Sequence, residues 1–124
     1  MLPYIIFAMG IGRILLGLAP FFAAGPISRL LGFPTDHDNA TSRLMARLFG
    51  VRDVGLGVLA FYGLEHPEAL GFVLIFNALT DFGDLAAIAI PLARRQGIDR
   101  GAWTSVGFAL PAGLSWAAVY FLRG

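Results

Sequence analysis

The stretch ALGFVLIFNALTDFGDLAAIAIPLA, residues 69–93, decides the fold. About 20 helical residues at about 1.5 Å each cross the roughly 30 Å of bilayer hydrocarbon, and this run is long and apolar enough to do so. Yet Asn77, Thr80, Asp81 and Asp84 stand at its centre. Asn77, Asp81 and Asp84 follow i, i+4, i+7 spacing with Thr80 beside them. At about 100° per residue they share a stripe roughly 60° wide. A helix of this kind has to turn its polar seam toward partners inside the membrane.

Three further segments supply partners: about Leu2–Ala24, Arg43–Leu64 and Ala102–Leu122. With Ala69–Ala93 they define one membrane domain over residues 1–124. The expected class is all-α, a four-transmembrane-helix bundle in up-down-up-down order, because the links between spans are short. Composition agrees, with 57% hydrophobic and 14% charged residues in a chain of 124. A soluble domain this small covers more of its surface with charge. A net charge of +1 and many Leu, Phe, Ile and Val residues exclude disorder. The long alternating runs of a lipid-facing barrel are missing. The first segment has no basic leader and is long enough to span, so it is expected to be retained rather than cleaved.

The link Gly25–Ser42 reads as a brief interfacial turn at Ser28–Leu31 followed by a polar loop that caps the second helix. The link Glu65–Glu68 reads as a tight turn, and Arg94–Gly101 as a basic loop. Arg29, Arg43, Arg94, Arg95 and Arg100 gather on one side, whereas the other carries only Arg123 with Glu65 and Glu68. The positive-inside bias therefore places both termini on the non-cytoplasmic side, in what we read as a bacterial cytoplasmic membrane. Tyr4, Tyr62 and Tyr120 mark the outer interface and Trp103 the inner one.

Six ionisable side chains fall within the spans: Arg13, Arg47, Arg52, Asp53, Asp81 and Asp84. Arg47 lies one turn from Arg43 and reaches the headgroups. The other five cannot. A charge at mid-bilayer costs roughly 2.5–3.5 kcal/mol on insertion scales, so five facing lipid would cost on the order of 12–17 kcal/mol, a domain's whole stability. They must face inward and pair. Gly10, Arg13 and Gly17 share a face, as do Gly50, Asp53 and Gly57, with the same spacing. Small residues let backbones approach on the charged face, so the first two spans should pack there with Arg13 against Asp53. Arg52 points about 100° away from Asp53 and needs Asp81 or Asp84. Two arginines against three aspartates leave one carboxylate in excess, a count that a shared proton would balance. Pro111, between Gly107 and Gly113, should kink the last span beside these charges.

Other signals carry little. Asp36-His37-Asp38 and Glu65-His66-Pro67-Glu68 read as solvated loops, so no metal is expected. No cysteine is present, which removes thiolate ligands and disulfides. Asn39-Ala40-Thr41 fits a glycosylation pattern on the wrong side of the membrane. Phosphate loops and dinucleotide fingerprints are missing, so no cofactor is expected. The basic residues are too scattered for nucleic acid.

At Arg13-Ile-Leu-Leu-Gly17 the chain resembles the Arg-x-x-x-Gly start of the DoxX-like small membrane proteins, which are similar in length and share a four-helix plan. Ala46–Asp53 and Asn77–Asp84 also resemble small bacterial membrane proteins of unassigned function. The resemblance implies a link to respiratory and redox systems. That role does not carry over to a chain without cysteine whose two histidines lie in loops.

The favoured expectation is an intramembrane pocket that binds a small lipophilic ligand and transforms it by acid–base chemistry, opening an epoxide or moving a double bond. Asp53, Asp81, Asp84 and Arg52 would be the catalytic groups, and Arg13, Asn77, Thr80 and Trp116 would contact substrate. A second reading is proton-coupled transport by a homo-oligomer, since four spans leave little room for a pathway. A third is a non-catalytic subunit of a membrane complex, with the charges as a structural salt-bridge core.

Overall fold

Proline sets two of the helix starts and one of the breaks. Pro3 and Pro67 stand in first turns, where a missing N–H costs nothing. Pro26 stops the first helix from running on, because in a continuous helix its ring would strike the carbonyl of Phe22. In the computed structural model, which describes residues 1–123, the elements are α1 Leu2–Phe22, α2 Ala24–Leu31, α3 Ala40–Glu65, α4 Pro67–Ala93 and α5 Asp99–Leu122. One 3-10 turn covers Thr35–His37. No strand occurs among the described residues.

The link before α3 differs from expectation. The chain breaks at Ala23 (φ −133°, ψ 51°) and forms the eight-residue α2 in place of a brief turn, so the first span ends at Phe22 rather than Ala24. A left-handed Gly32 (φ 96°) ends α2, with Gly32 N–H on the Arg29 carbonyl at 3.1 Å and Phe33 N–H on that of Ser28 at 3.0 Å. The polar loop does cap the next helix. The Asn39 side chain accepts from Ser42 N–H and the Ser42 hydroxyl accepts from Asn39 N–H, each at 3.0 Å.

Three helices, α1, α4 and α5, are long and apolar enough to cross a membrane, the requirement for an integral membrane protein. The 26-residue α3 carries Arg43, Arg47, Arg52 and Asp53 and is not apolar enough by composition alone.

The helices pack as two antiparallel pairs, α1 with α3 and α4 with α5, joined where α3 meets α4. Gly10 meets Gly57 and Gly17 meets Gly50, so backbone touches backbone. This contact is its own mirror. Phe61 lies over Gly10 as Phe21 lies over Gly50, and Ile14 lies against Gly57 as Val54 lies against Gly17. At the chain-terminal end the two pairs close on a dry core of Ile6, Ala60, Leu74, Ala78, Trp116 and Val119. At the other end they part, and α2 fills the gap by touching α1, α3 and α5.

Candidate functional site: a chain of five charges at the floor of a cavity

The glycines position the charges. A Cβ on Gly17 would lie 2.5 Å from the Gly50 carbonyl and 3.0 Å from Asp53 Cβ; one on Gly57 would lie 2.7 Å from the Gly10 carbonyl. This close approach brings Arg13 Nη1 to 3.3 Å from Asp53 Oδ1, with both side chains buried. Arg13 Nη2 donates to Asp81 Oδ2 on α4. Arg52 grips Asp84 with both terminal nitrogens, each 2.8 Å from its oxygen, and Arg52 Nη2 also reaches Asp53 Oδ1 at 3.3 Å.

The five groups therefore form one alternating sequence, Asp81–Arg13–Asp53–Arg52–Asp84, which leaves α4, crosses α1 and α3, and returns to α4 one turn further on. The charges alternate along this order, and the three at its Asp81 end, Asp81, Arg13 and Asp53, are buried while Arg52 and Asp84 are partly exposed. An aromatic ring lies against each guanidinium, with Trp116 5.4 Å from the Arg13 guanidinium carbon and Phe49 4.6 Å from that of Arg52.

A cavity of about 860 Å³ extends from this sequence of charges to α2 and the segment before α3. Arg13, Asp53, Asp81, Asp84 and Trp116 line its floor; Leu16, Met45, Phe49, Ile88 and Phe108 contribute to an apolar wall. An apolar chamber with a few convergent polar groups is the usual form of a small-molecule site. Asp53 and Asp81 each have a side chain only 6% exposed. Each nevertheless keeps one oxygen, Asp53 Oδ2 and Asp81 Oδ1, that accepts no hydrogen bond from the described residues.

The remaining sequence candidates lie elsewhere. Arg52 is not on the cavity lining, and its terminal nitrogens are committed to Asp84 and Asp53, so it positions them. Buried Asn77 donates to the Val73 carbonyl at 3.0 Å, and Thr80 donates to that of Phe76 at 2.9 Å. Both satisfy their own helix and stand outside the lining. Among the described residues no three His, Asp or Glu side chains converge as metal ligands.

Sequence reasoning missed the far end of the cavity. Asp38 holds Arg43 through two bonds of 2.7 and 3.1 Å, and Arg29 of α2 at 3.4 Å, thereby fastening α2 to α3. The hydrogen bond from Arg43 keeps the Asp38 carboxyl below its ordinary range, against the opposing effect of burial. Apart from charge in a polar loop, the sequence carries no mark of this latch, because it exists only once α2 is a helix.

No curated protein and no solved structure matches the chain. Residues 10–122, which include all five linked charges and the α2 latch, match one family throughout, and the chain belongs to it: the family described as Domain of unknown function (DUF4267).

Proposed function

We propose that the chain crosses a bacterial cytoplasmic membrane four times, through α1, α3, α4 and α5, with both termini outside. In this reading its cavity binds a small lipophilic molecule and transforms it by acid–base chemistry, as in epoxide opening or isomerisation. The fourth crossing is supported by the pairing of the central charges of α3. Arg52 and Asp53 have partners on α4 and α1, so the composition that makes α3 look polar is neutralised inside the bundle. Arg43 and Arg47 lie within reach of headgroups. The likeness of Arg13–Gly17 to the DoxX-like start supports the layout and nothing further.

One observation carries the functional reading: an apolar chamber ends on carboxylates that are nearly buried and still have free oxygens. A purely structural salt bridge has no use for an adjoining chamber of this size. Asp53 and Asp81 are the proton-transfer groups, Arg13 holds them apart and oriented, and Arg52 positions Asp84. The packed core at the terminal end favours a pocket entered from one end over a transport pathway.

The test is turnover of a panel of lipophilic epoxides and β,γ-unsaturated ketones by the chain in nanodiscs, beside Asp53→Asn and Asp81→Asn. A positioned acid–base group contributes about 10²–10⁴-fold, and each variant should lose that much. Folded variants with undiminished turnover would overturn the acid–base assignment. A wild-type chain that turns over none of the panel would overturn the epoxide and isomerase chemistry.

A further inference from the structure

The chemistry of the cavity floor narrows the ligand class. The four terminal nitrogens of Arg13 and Arg52 each donate to an aspartate, and both Nε atoms are buried without a partner. Two acceptors are left, Asp53 Oδ2 and Asp81 Oδ1, on side chains that line the cavity. The linked charges also sum to one negative, with three carboxylates against two guanidiniums.

We infer that the cavity takes a lipophilic amine, its ammonium head seated between the free oxygens of Asp53 and Asp81 and its carbon chain along the apolar wall. This rests on the pocket reading above and specifies its ligand. An ammonium brings three donors and the one positive charge that the alternating sequence lacks. Charge-assisted hydrogen bonds in a dry site are roughly twice as strong as neutral ones, so the head group decides affinity. A hydroxyl head satisfies an oxygen and leaves the charge unbalanced. A carboxylate head meets acceptors with acceptors and adds a second uncompensated negative charge, the like-charge arrangement that buried sites exclude. Asp84 is not available to the head in the same way, because Arg52 occupies both of its oxygens.

The test compares octylammonium, octanol and octanoate, three probes with one chain and different heads, by calorimetry on the detergent-purified full chain at neutral pH. Trp116 emission in the Trp103→Phe background serves as a second readout, since only two tryptophans exist and Trp116 lines the floor. Octylammonium should bind at least about tenfold more tightly than octanol, with octanoate weakest. Asp81→Asn should bring octylammonium down to the octanol level and leave octanol unchanged. The ranking on the unaltered chain decides the matter even if that variant fails to fold. Equal affinity for octylammonium and octanol, or a preference for octanoate, overturns the amine inference and leaves the pocket standing; no binding by any of the three, with Trp116 emission unmoved, overturns both.

Discussion

Asp53 is the residue on which the most charge depends, since it accepts from Arg13 and Arg52 together. Its replacement by Asn leaves Arg13 paired with Asp81 and Arg52 with Asp84, and removes the carboxylate that joins the two pairs. Leaving a buried charge without any partner costs about 3–5 kcal/mol, and because both arginines keep one aspartate, Asp53→Asn should fall at or below the lower end of that range. Asp84 is 24% exposed and touches only Arg52, so Asp84→Asn should cost less. Thermal unfolding of both variants in one detergent gives the order, and a reversed order would remove Asp53 from the centre of the network. Asp38 sets a different expectation. Because Arg43 depresses its folded value, its contribution to holding α2 is complete above the ordinary carboxyl value of 3.8 and is lost as pH falls below that, through the depressed value. Hydrogen exchange of the α2 amides should therefore be slow at pH 7 and, once the intrinsic rate is divided out, lose protection in acid. Asp38→Asn should show the unprotected rate at every pH.

At the scale of the helix, the α1–α3 contact predicts which glycines accept a methyl group. Gly17→Ala would press a methyl carbon against the Gly50 carbonyl, and Gly57→Ala one against that of Gly10; backbone cannot rotate away. Overpacking of this kind costs about 1–3 kcal/mol. Gly12 and Gly55 have nothing within 4 Å of an added Cβ. Gly12→Ala and Gly55→Ala should be neutral or should stabilise by up to about 1 kcal/mol through helix propensity. Melting temperatures of the four variants check the contrast. The α1–α3 pairing was legible in the sequence because glycine and charge share a face in both helices, and helical geometry links face to contact. Arg52 was legible for the same reason, since about 100° of rotation carries it away from α1 and toward α4. Asn77 and Thr80 were not. Their positions match the stripe of Asp81, but an amide or hydroxyl can bond back to its own helix, and periodicity does not report that choice. Nor was α2 legible: Gly25-Pro26 reads as a stop, and in the fold it is the first turn of a new helix.

At the scale of the whole molecule, the four-span arrangement we propose makes opposite predictions for the two ends of the bundle. The chain has no cysteine, so single introduced thiols report sidedness. Glu65→Cys should react with a membrane-impermeant maleimide in intact cells, and Gly97→Cys only after the cells are opened. Labelling of both in intact cells would disprove the four crossings. A pocket at the charges was expected from the sequence, but its extension to α2 was not, because that arises from the parting of two helix pairs, each with sound periodicity of its own. The mirrored contact between α1 and α3 has a consequence at this scale. Arg13 and Asp53 occupy equivalent places, forty residues apart, so taken alone the pair would not distinguish which helix is the cation and which the anion. Their neighbours break the tie. The exchange R13D/D53R would keep the internal couple and yet set a carboxylate at position 13 against Asp81 and a second guanidinium beside Arg52. The polarity of a nearly palindromic joint is thus dictated from outside it, with α4 as the arbiter.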